Sequence, residues 1–152
     1  MAEAQAAESL SLELTRVFQA TRENVFRAWI DKEELQHWWG PKGFKTEVEK
    51  FDARPGDAYR LCMRAPDGSE HWLHGEFKDI SPHEFLSMSW VWAGGDLAGH
   101  EMLVSVTFTA VGQATEIKLT HSNLPSEGAV AAHNEGWISS LECFDEAITG
   151  NA

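Results

Sequence analysis

The chain has 152 residues, of which 43% are hydrophobic and 24% charged, the size and make-up of one globular domain able to bury its own core. Its formal net charge of −12 disfavours phosphate backbones and anionic lipid headgroups, so nucleic acid and membrane surfaces are set aside as partners. Half of the twelve basic residues fall between Lys42 and Arg64 and none follows Lys118, which excludes a phosphate-binding C-terminal arm.

The stretch 1–9 is rich in Ala, Glu and Gln and reads as a disordered lead-in without the basic and apolar regions of a signal peptide. From Leu10 the pattern alternates, with Leu10, Leu12, Leu14 and Phe18 on one face of a predicted strand. Thr21 is placed to cap a short helix carrying Val25, Phe26 and Trp29. Asp31 and Glu34 have capping-box-like spacing for a second helix, which Gly40-Pro41 stops after Trp38-Trp39.

Six further strands are predicted at about 44–53, 58–65, 70–80, 85–92, 101–110 and 115–122. Turn sequences punctuate them: Arg54-Pro55-Gly56-Asp57, Pro66-Asp67-Gly68-Ser69, Ser81-Pro82-His83-Glu84 and Val111-Gly112-Gln113. Short links favour antiparallel meander pairing. A helix is predicted from about Gly128 to Ile148, with Val130, Asn134, Trp137, Leu141, Phe144 and Ile148 in one stripe beside a small-residue arc that includes Gly136, Ser140 and Cys143. The expected fold is α+β: a curved antiparallel sheet of about six to seven strands around one long C-terminal helix, with two short helices after the first strand. One domain over 10–150 is expected, with no internal repeat or linker.

Recognised catalytic and cofactor signatures are missing: there is no nucleophile elbow and no phosphate loop, and Gly94-Gly95 with Gly99 does not complete a dinucleotide fingerprint. No cofactor and no metal are expected. His71 and His74 stand at an odd offset on a strand, which sends their side chains to opposite faces. Cys62 and Cys143 have no metal-type spacing and read as free thiols in a reducing cytoplasm, the expected location.

Strand parity marks two polar residues on apolar faces. His121 ends the row of Ile117 and Leu119, and Arg16 shares the face of Leu12, Leu14 and Phe18. Either they anchor a ligand at a cavity mouth, or they are a capped histidine and a salt-bridged arginine. Apolar rows are formed by Leu86, Met88, Trp90 and Trp92, by Tyr59, Leu61 and Met63, and by Met102, Val104, Val106 and Phe108. Core packing explains any one of these rows. Together with Trp137 they are of the kind that lines apolar pockets, among seven Trp and eight Phe in the chain. In 70–78, Leu73, Gly75 and Phe77 are expected inward, leaving Trp72 outside. Trp72 and the Trp38-Trp39 pair are candidates to cover a pocket entrance or a protein interface.

Arg16-Val17-Phe18, Val25-Phe26-x-Ala28-Trp29 and Leu35-x-x-Trp38-Trp39-Gly40-Pro41 resemble the opening of the activator-of-heat-shock-ATPase homologue family, within the START-like or SRPBCC superfamily of helix-grip ligand binders. Pro55-Gly56-Asp57-x-Tyr59-Arg60, Gly75, Ile80-x-Pro82, Trp90, Thr120-His121 and Gly136-Trp137-x-x-x-Leu141 continue the likeness. The resemblance implies a sheet wrapped around the C-terminal helix with a deep pocket between them, and no particular reaction. Cys62 and Cys143 depart from the pattern. Packing is the plain account of Cys143, and a contact in a homodimer is the sharper one.

The favoured function is binding of a small hydrophobic or aromatic molecule, with Arg16, Met63, Phe77, Met88, Trp90, Trp92, Val106, His121, Trp137 and Leu141 as the expected contacts and no catalytic residue. The alternatives are an enzyme of the polyketide cyclase or dehydratase type, resting on His121 with Arg16, and a co-chaperone with a chaperone partner, implied by the resemblance alone.

Overall fold

The computed structural model describes residues 10–149, so the expected lead-in at 1–9 lies outside the described residues. Strand β1 (Leu10–Phe18) is followed by helices α1 (Arg22–Ile30) and α2 (Lys32–Leu35). Strands β2 (Lys45–Phe51), β3 (Ala58–Arg64), β4 (Glu70–Ser81), β5 (Phe85–Trp92), β6 (Met102–Val111) and β7 (Ala114–Leu124) come next. Helix α3 (Glu127–Thr149) completes the order.

The strands form one seven-stranded sheet in the order β1-β7-β6-β5-β4-β3-β2, and every pairing is antiparallel. Strands β2 to β7 therefore make a meander, and β1 returns to pair with β7. Irregularities between Val48 and Lys50, and between Phe77 and Ile80, break the ladder locally, where bulges bend a sheet. At the second of them Ser87 and Ser89 of β5 take over, their hydroxyls accepting from the backbone N–H groups of Asp79 and Glu76 at 3.1 and 2.8 Å. This is the expected α+β helix-grip architecture.

Local chemistry sets the helix ends. The Thr21 side chain accepts from Asn24 N, and the Asp31 side chain from Glu33 N, so both caps fall where the sequence puts them. Helix α3 lays Trp137, Leu141 and Phe144 into the concave face of the sheet. Phe144 meets Phe18 and Trp38 at ring distances of 4.8 and 4.7 Å. From α1, Trp29 is completely buried and packs on Trp38 at 4.6 Å, while Phe26 packs on Phe108 at 5.2 Å. No helix among the described residues is long and apolar enough to cross a membrane.

Strand parity holds in β4. Leu73 and Phe77 are fully buried, and a Cβ on Gly75 would lie 2.2 Å from the Ser89 carbonyl oxygen. Trp72 stands on the other face, half-buried under the Arg60 guanidinium 4.0 Å from its ring centre. Trp38 and Trp39, expected at a pocket entrance or a protein interface, follow α2 and are both buried, so neither stands out as an exposed interface.

Candidate functional site

The sheet and α3 diverge at one end and leave a cavity of about 400 Å³. Trp39, Gly40, Pro41 and Phe44 wall it from the segment after α2. Met63 of β3, His71 of β4 and Trp90 and Trp92 of β5 wall it from the sheet, and Ala132, His133, Gly136, Trp137 and Ser140 from α3. No Asp, Glu, Lys or Arg is among these lining residues.

Four tryptophans give the cavity its character. Trp90 lies at their centre, stacked on Trp39 at 5.7 Å and 25°, tilted against Trp137 at 5.4 Å, and edge-on to Trp92 at 5.7 Å. Such rings present broad, flat, apolar surfaces with few rotatable bonds, which suits planar ligands.

The loop wall is tied to the helix. Ser140 Oγ donates to the Trp38 carbonyl at 3.2 Å and accepts from Gly40 N at 3.1 Å, while Ser139 Oγ accepts from Lys42 N at 2.8 Å. From β2, Thr46 Oγ1 donates to the Trp39 carbonyl. Gly40 has φ of +101°, and a Cβ there would press on Thr46 Oγ1 and the Met63 sulfur at 3.2 and 3.4 Å. A side chain at this position would be strained by the positive φ and would crowd β2 and β3.

Two histidines stand at the polar end. The ring of His133 is held by its own helix: Nδ1 lies 2.8 Å from the Ala129 carbonyl oxygen and carries the proton, so Nε2 is the acceptor. Trp92 Nε1 donates to that Nε2 at 3.1 Å. His121, completely buried behind Trp90 and Trp137, has its ring centre 4.8 Å from that of His133. Its Nδ1 accepts from Trp137 Nε1 at 3.0 Å, which puts the proton on Nε2, a buried donor without a partner among the described residues. Burial, helped by the neighbouring His133, pushes the His121 pKa down to about 3, and burial also lowers that of His133. Both rings are therefore neutral at pH 7.

Of the residues expected from sequence, Met63, Trp90, Trp92 and Trp137 line the cavity. Phe77, Met88 and Val106 are fully enclosed in the core, and His121 stands behind the tryptophan wall. Leu141 is buried and lines a separate groove that also includes Arg16. Arg16 itself is exposed, its Nη1 donating to the Thr15 carbonyl, and does not meet His121. It sits on an edge strand, where a long side chain reaches solvent past the rim of the core. The sequence reading missed His133, Phe44, His71 and Ser140, while Trp39, which it placed at a pocket entrance, is in the lining. His133 lies one helical turn before Trp137, and that i, i+4 relation is the signal that would have found it.

A family model described as Activator of Hsp90 ATPase homolog 1-like protein matches residues 19–149. A Chromobacterium violaceum protein of known crystal structure is 26% identical with a TM-score of 0.85, covering 91% of this chain and 96% of its own. The AHSA1 protein of Silicibacter pomeroyi is 24% identical with a TM-score of 0.85, covering 94% and 100%. A solution structure from Arthrobacter aurescens, 21% identical over 93% of this chain and 87% of its own, has a TM-score of 0.84. No curated protein matches the chain. The family match spans nearly the whole of the described fold, and the chain belongs to the Activator of Hsp90 ATPase homolog 1-like protein family.

Proposed function

We propose that the protein binds a small, neutral, hydrophobic or aromatic molecule in the cavity between α3 and the ends of β3, β4 and β5. The observation that carries this reading is the cavity itself, about 400 Å³ walled by Trp39, Trp90, Trp92 and Trp137 and free of charged side chains. Filling it with a planar apolar ligand removes aromatic surface from water at about 25 cal/mol per Å². Cys143 packs against the core from its half-buried position. The enzymatic alternative loses the pair it rested on, since Arg16 is exposed and His121 is enclosed. The free thiols fit a reducing cytoplasm as the place where the protein works.

Native mass spectrometry of the protein as purified, followed by denaturation to release bound molecules, tests the reading. A retained apolar or aromatic small molecule is the expected result. A protein that emerges empty and takes up no neutral aromatic when offered one contradicts it.

A further inference from the structure

We infer that the ligand is a neutral aromatic carrying a hydroxyl group, and that this hydroxyl inserts between His133 and Trp92. The inference rests on the cavity being the binding site. Among the lining side chains the polar functions are few. The Ser140 hydroxyl is already engaged in both directions, by Gly40 N and the Trp38 carbonyl. His71 Nε2 lies 3.3 Å from Ser69 Oγ on the exposed side. That leaves His133 Nε2 as an acceptor, paired with Trp92 Nε1 at 3.1 Å, and Trp90 Nε1 as a buried donor without a partner among the described residues.

The pairing dictates what can replace it. His133 cannot offer its other nitrogen, because Nδ1 is committed to the Ala129 carbonyl. A ligand group entering here must donate to His133 Nε2 and accept from the Trp92 indole at once, or it leaves a desolvated polar atom unmatched. A hydroxyl does both with one oxygen. An ether or ketone can only accept. A carboxylate or ammonium brings a charge into a lining that has no opposite charge to meet it. To admit the oxygen, the two rings must separate from 3.1 Å to about 5 Å, room for two hydrogen bonds of ordinary length. Trp92 is half-buried and is the last residue of β5, just before Ala93-Gly94-Gly95, so its side chain has solvent on one side to turn into.

The test compares naphthol, its methyl ether and naphthoate by calorimetric titration of the full chain and of a His133→Phe variant. The expected result is that naphthol binds about tenfold tighter than the ether, that naphthoate is weakest, and that the preference for naphthol vanishes in His133→Phe. In the unmutated protein, the imidazole Nε2 nitrogen resonance of His133 should shift with naphthol and stay in place with the ether, a readout independent of how the variant folds. Equal binding of naphthol and ether, or a preference that survives His133→Phe, overturns the inference while leaving the cavity reading intact. Binding of none of the three overturns both.

Discussion

Trp137 donates its indole N–H to Nδ1 of His121 at 3.0 Å, joining the middle of α3 to β7 beneath the cavity floor. That bond requires a neutral imidazole, because a protonated ring has no lone pair to receive the indole proton. The helix is thus fixed to the sheet by a contact that acid can break.

This gives a pH dependence with a defined sign. The unfolded chain titrates His121 near 6.5 and the folded chain only near 3, so between those values the unfolded state carries the extra proton. Stability is complete above pH 6.5 and declines as the pH falls through that window, by about 1 kcal/mol per pH unit. Urea unfolding at several pH values between about 7 and 5 should show this slope, reduced in a His121→Gln variant. An identical slope in the two proteins would remove His121 as its source.

Ser140 gives a second prediction. Ser140→Ala removes two of the hydrogen bonds that tie the loop wall to the helix, leaving the Ser139 bond to Lys42 N, and leaves Gly40 N buried without a partner, at a cost of about 1–3 kcal/mol. Because that loop carries Trp39, affinity for neutral aromatics should fall along with stability. Thermal melting and a binding titration on the same preparation would show whether the two losses go together.

Two glycines should respond in opposite ways. At Gly75 an alanine methyl would lie 2.2 Å from the Ser89 carbonyl oxygen, where backbone must give way, so Gly75→Ala should cost about 3 kcal/mol or more. At Gly136, inside α3, a Cβ meets nothing within 4 Å, and Gly136→Ala should stabilise the protein by up to about 1 kcal/mol through helix propensity. Chemical denaturation of the two variants side by side tests both signs.

The fold was largely legible because period-two alternation and turn residues are local signals. The expected strand at 85–92 matches the observed bounds, and the parity argument placed Leu73 and Phe77 inward correctly. The resemblance contributed the pocket between sheet and helix. The site was less legible, because parity gives a face and not a depth. Phe77, Met88 and Val106 share the inward face with Trp90, yet they are fully enclosed in the core, Phe77 between the Phe51 and Tyr59 rings, whereas Trp90 lines the cavity. The loop wall depends on the Ser140 tether, whose partners stand about a hundred residues earlier in the chain, a distance no local pattern spans. Arg16 misled because alternation alone does not reveal that its strand is an edge.

The most direct test of the central claim is a fluorescence titration with the neutral probe N-phenylnaphthylamine, comparing the unmodified chain with Gly136→Leu. Position 136 lines the cavity with open space before it, so a leucine there should occupy the cavity while leaving the helix sound. The account predicts saturable, single-site binding to the unmodified protein and its loss in a Gly136→Leu variant that melts no lower. Undiminished binding by that variant, or no binding by either protein, would contradict it.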